Sequence, residues 1–148
     1  SNAVDGFGTF TKIVANNLKV LTFCLLFSFV FGAGAIFILT WNASVIAVAM
    51  GTLIESHVLS TQSGFVFAHI SGYSGAMLRY FIHGIPEIAA YFIAALAGGI
   101  ISVAIIRKDI FTKNFQKIAF DTSNLIIISM IILVLAGFIE TYITPLLY

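Results

Sequence analysis

Charge is scarce in this chain: only 9% of its residues are Asp, Glu, Lys or Arg, against about 25% in an ordinary globular domain. So few charges cannot cover a water-exposed surface, which excludes an ordinary soluble fold. Cysteine is nearly absent. Cys24, the only one, excludes a disulfide within the chain and a thiolate metal cluster; its apolar run makes it lipid-facing or a packing residue. The formal net charge of +1 offers no field for nucleic acid. Proline occurs twice, as Pro86 and Pro145, and tryptophan once, as Trp41. What abounds is apolar: 60% of the residues are hydrophobic and the mean hydropathy is +1.09. The expected fold class is all-α, a polytopic helical bundle integral to the membrane. Residues 4–148 form one membrane domain. The opening "SNA" reads as the remnant of a cleaved expression tag.

Along the chain, Phe7, Phe10, Ile13 and Val14 fall near helical spacing, with Lys12 and Asn16 off the stripe. Residues 4–17 therefore read as an interfacial amphipathic helix. Residues 18–40 are long enough for a first span, closed by Trp41 at the headgroup level. Residues 42–83 are apolar but interrupted by Glu55, His57, "STQS" and His69; they read as two short crossings or a re-entrant pair. Residues 86–106 form a clean span. Residues 107–121 are basic, and Ile110, Phe111, Phe115 and Ile118 predict a second interfacial helix. Residues 123–143 form the last span. The count is about five. Lys12 and Lys19 before the first span, and Arg107, Lys108, Lys113 and Lys117 between the last two, are both expected on the cytoplasmic side, which predicts a plasma-membrane protein with its amino terminus in the cytoplasm and its carboxyl terminus outside.

The stretch "FIHGIPEIAAYF" (81–92) carries the chemistry. A helix unbroken from about 74 to 106 would overshoot a ~30 Å hydrocarbon core. Gly84 and Pro86 supply a break, with Pro86 as the first helical residue. Glu87 then sits in the first turn, where a carboxylate suits the helix dipole. Glu140 falls near the same face at the end of the last span. Arg79, His83, Glu87 and Glu140 therefore form one expected polar cluster, since ionisable groups in membrane segments pair or line a wet cavity. Tyr91, four residues after Glu87, is placed to donate to it. The cluster has three readings: a lock between spans, a binding surface for a protein or lipid headgroup, or chemistry. His83 and Glu87 also have the spacing of half a metal site, but the intervening Gly84 and Pro86 disturb the helix that spacing needs. No catalytic residue and no cofactor is assigned. Ala90, Ala94, Gly98 and Ser102 recur every fourth residue, a stripe that lets another helix approach closely.

These residues resemble a known family. "HGIPEIAAYFIAALAGGIIS" (83–102), "AGFIETYITP" (136–145) and the glycine-rich run ending in Asn42 (31–54) are similar to the stage II sporulation protein M family, in the wording of an archaeal or non-sporulating branch. The resemblance implies signature residues at Asn42, His83, Gly84, Glu87, Glu140 and Pro145. It also implies a non-enzymatic membrane scaffold that anchors partner proteins. The alternative is a small-solute or ion permease built on the His/Glu cluster. The expected partners are the lipid bilayer, a membrane or cell-envelope protein, and, for a permease, further copies of the chain; nucleic acid is not among them.

Overall fold

The computed structural model describes residues 2–32, 35–60, 65–108 and 112–146. Four helices organise them: α1 (Asn2–Phe31), α2 (Ala35–Ser60), α3 (Phe65–Ile106) and α4 (Lys113–Phe138). No strand occurs among the described residues. A π-helical turn (Ile139–Ile143) and a 3₁₀ turn (Thr144–Leu146) carry α4 onward. Among the described residues, four segments are long and apolar enough to cross a membrane: Gly6–Phe31, Ile38–Ser56, Tyr73–Ile106 and Lys113–Leu146. The count among them is four rather than about five.

The expected interfacial helix at 4–17 and the first span at 18–40 are not separate pieces. One helix of 30 residues, α1, runs through both and stops at Phe31. Gly32 stops it. Its φ of 64° is the left-handed conformation that glycine adopts without steric cost, and its N–H closes back on the Ser28 carbonyl at 2.9 Å, a glycine C-cap. Asn42 and Trp41 therefore lie inside α2, not at the end of the first span. The middle region follows neither expected path. α2 is a single helix of 26 residues, and residues 65–83 are the opening turns of α3. The expected break at "STQS" falls in part on residues 61–63, which lie outside the described residues.

α3 overrules the proline. It runs unbroken for 42 residues with Pro86 inside it, about 63 Å at ~1.5 Å per residue. Pro86 removes one backbone donor and crowds the carbonyl of Ile82 one turn back, yet the helix carries on through it. The second interfacial helix is also absent as a separate element, because α4 already begins at Lys113. Ile110 and Phe111 of its stripe lie outside the described residues.

The packing order follows from the close approaches between helices. Ser28 of α1 donates to the Ala95 carbonyl of α3 at 2.6 Å, while Lys12 to Asn17 lie beside Tyr80 to Glu87. α1 and α3 therefore run parallel. Gly137 of α4 meets Val14 of α1, and Gly6 meets Tyr142, so α4 runs antiparallel to α1. α2 descends beside both, with Val45 and Ala49 level with His83. The Asn2 end of α1 and the Leu146 end of α4 thus share one end of the bundle. The expectation of opposite sides for the two termini rested on an odd count and does not hold. The core is small: Leu21, Cys24, Ala90, Tyr91, Ala94, Ala95 and Leu133.

Candidate functional site

A polar cavity of about 360 Å³ opens between α1, α2, α3 and the turn after α4. Each helix supplies a residue for a local reason. His83, Gly84 and Glu87 fall on one face of α3 because they are one turn apart in a helix that does not break. Asn17 of α1 stands in register with Leu21, Cys24 and Ser28, the buried side of that helix. Glu140 enters from the π-helical turn. Lys12 stands exposed at the rim.

Glu87 is the hub. The Tyr91 hydroxyl donates to its Oε1 at 2.5 Å, and Tyr91 is fully buried. Asn42 of α2 reaches the same carboxylate with its side chain, and Glu140 and His83 both lie within electrostatic range of it. His83 is buried at 7% exposure and packs its ring against Tyr80, with centroids 5.8 Å apart. Two carboxylates, a buried imidazole and an amide so line one space, with the Tyr91 phenol and the Asn42 amide bonded to Glu87 behind it.

Of the residues singled out in the sequence, His83, Gly84, Glu87 and Glu140 meet in this cavity, with Tyr91 and Asn42 behind Glu87. Arg79 lies on α3 a turn before His83; its side chain falls outside what is described. Pro86 sits half-buried between His83 and Glu87. Pro145 is exposed in the last turn, outside the cavity. Ala90, Ala94 and Gly98 are buried and face α1, with Ser102 half-buried beyond them. Their stripe is an internal helix contact. Among the described residues no three of His, Cys, Asp or Glu converge as metal ligands.

Asn17 is the residue that sequence reasoning missed. It is 6% exposed, lines the cavity, and its Nδ2 is buried with no hydrogen-bond partner. The signal was the 17, 21, 24, 28 spacing, which puts an amide on the apolar face of α1.

Comparison with known sequences agrees with the motifs. The family model described as stage II sporulation protein M matches residues 2–145. An uncharacterised protein of Methanocaldococcus jannaschii is 31% identical over 143 residues, covering 92% of this chain and 71% of its own. No solved structure matches.

Proposed function

Because the chain belongs to the stage II sporulation protein M family, we propose that it is a non-enzymatic membrane scaffold whose long α2–α3 hairpin holds a partner protein. One observation carries this reading. If Arg107 marks one membrane face, a ~30 Å core reaches back about twenty residues along α3, to Glu87. The first turns of α3 and the last of α2 then project beyond the core. They remain apolar there: Leu59, Ile70, Tyr73 and Leu78 are 56–81% exposed. An apolar surface of that kind outside lipid marks a protein contact. Arg107, Lys108, Lys113 and Lys117 gather at the opposite end, which the positive-inside rule makes cytoplasmic. The hairpin, the cavity and both helix termini then face outward across the plasma membrane.

Native mass spectrometry of protein released gently from its own membrane tests the reading. A stoichiometric second protein is expected, lost from Ile70→Ser and Leu78→Ser variants that keep the wild-type thermal midpoint. Release of the bare chain, or of copies of itself alone, overturns it. The polar cavity favours a second reading, a small-solute permease, because ionisable groups inside a bundle are the usual mark of a solute path. Solute flux into reconstituted vesicles, abolished by Glu87→Gln, distinguishes that reading from the scaffold.

A further inference from the structure

Away from the polar cavity, a second and larger space of about 910 Å³ opens between the end of α1, the start of α2 and the last turns of α3. It is a groove. Its floor is one stripe of α3, on which Phe92, Leu96, Ile100 and Val103 recur at helical spacing and are 42–60% exposed. The end of α1 shapes it. Ser28 lies level with Gly99, so α1, ending at Phe31, stops about a turn short of Ile106. Beyond that point the floor of α3 has no α1 wall beside it.

The lining is apolar except at one end. Arg107 is the one charged side chain that lines it among the described residues, and it continues the same stripe one turn after Val103. The floor from Phe92 to Arg107 measures about 22 Å at ~1.5 Å per residue. One leaflet is about 15 Å deep, half of a ~30 Å core, so the groove is long enough for a whole lipid chain. The positive-inside rule sets its Arg107 end at the cytoplasmic headgroups. Residues 107–117 there carry four cations, Arg107, Lys108, Lys113 and Lys117, against Asp109 alone.

That charge selects the occupant. A second copy of the chain would answer the apolar floor only. Copies inserted in the same direction and related by a two-fold axis meet at equal depth, which sets one basic end against the other. A neutral lipid likewise leaves the cation unanswered. We propose that the groove holds an anionic membrane lipid, with a hydrocarbon chain along Phe92 to Val103 and a phosphate headgroup accepting from the Arg107 guanidinium. A guanidinium matches a phosphate with two parallel N–H donors, and basic pockets between membrane helices suit such headgroups. The groove lies apart from the α2–α3 hairpin, so its occupancy does not depend on the scaffold reading.

The test uses the purified full chain in detergent, offered equal amounts of phosphatidylglycerol and phosphatidylcholine with identical chains. Native mass spectrometry counts the lipids retained. Phosphatidylglycerol is expected to be retained about fivefold or more over phosphatidylcholine. Arg107→Gln is expected to remove most of that preference, a loss of about fivefold. Lys113→Gln makes the same change of charge outside the groove and is expected to leave the preference within about twofold. Ile100→Trp fills the groove from an exposed position and is expected to abolish retention at an unchanged thermal midpoint. Four results overturn the proposal: equal retention of the two lipids, equal losses from Arg107→Gln and Lys113→Gln, retention that survives Ile100→Trp, or a dimer of the chain that excludes lipid and is broken by Ile100→Trp.

Discussion

Tyr91 and Glu87, one turn apart on α3, are joined by a 2.5 Å hydrogen bond in which the fully buried phenol donates to the carboxylate. The bond ties the polar cavity to the hydrophobic core, since the Tyr91 ring packs with Leu21, Cys24 and Leu133 while its hydroxyl serves Glu87. Tyr91→Phe keeps the ring and deletes the donor. The expected cost is about 1–3 kcal/mol, read as a fall in thermal midpoint. In a Glu87→Leu background the same change is expected to cost little, because the two residues act as one unit. Equal costs in both backgrounds would detach the phenol from the carboxylate.

At Gly98 the backbones of α1 and α3 approach closely. A Cβ there falls against the Leu25 carbonyl oxygen, 3.1 Å from the Phe29 nitrogen and 3.2 Å from the Ser28 Cβ. Two of these neighbours are backbone, so neither can swing aside. Gly98→Ala is expected to destabilise the bundle by about 1–3 kcal/mol through forced separation of the helices. The adjacent Gly99→Ala meets only the Ser28 hydroxyl at 3.3 Å and is expected to cost clearly less. A denaturation series on the two variants checks the order.

Gly84 gives the opposite result. No atom outside its own turn lies within 4 Å of an added Cβ, and α3 is helical on both sides. Gly84→Ala is expected to stabilise by about 0.5–1 kcal/mol, the ordinary gain of alanine over glycine in a helix. A loss of stability would mean that the chain needs a break at this point, so the thermal midpoint of this variant reads the continuity of α3 directly.

Thr122 is 2% exposed and its hydroxyl has no hydrogen-bond partner. Thr122→Val keeps the branched shape and removes the orphaned oxygen. The expected gain is about 1 kcal/mol, since an unsatisfied buried hydroxyl contributes only its desolvation penalty. An unchanged or lower midpoint would show that this hydroxyl is bonded in the membrane.

Errors in the middle of the chain did not spread to the site. Glu87 and Glu140 were expected together because the spans 86–106 and 123–143 were read as successive crossings in opposite directions, which sets the start of one level with the end of the other. That argument does not depend on the course of residues 42–83. His83 was expected near Glu87 from its closeness in sequence, across a break, whereas the structure carries both on one unbroken helix. The expected sides of the two termini depended on the course of residues 42–83 and fell with it. Pro86 misled for a different reason. Its preference for a first turn is a local propensity, and the helical turns on both sides of it override that preference. Gly32 was a stop signal in plain view, but it sits in a run so uniformly apolar that hydropathy reads straight across it.

The sequence by itself determined the medium, the helical class and the family, because these depend on composition, length and short motifs, which need no partner in space. It also placed the two glutamates at one end of adjacent helices, since two successive crossings of one layer run in opposite directions. Only the tertiary structure decided that α1 and α3 run side by side in the same direction, that α3 continues through its proline, and that Asn17 joins the glutamates. Those facts depend on which helix faces lie against each other, and that choice is made by close backbone approaches such as Gly98 against Leu25, a relation between residues more than seventy positions apart that no local pattern encodes.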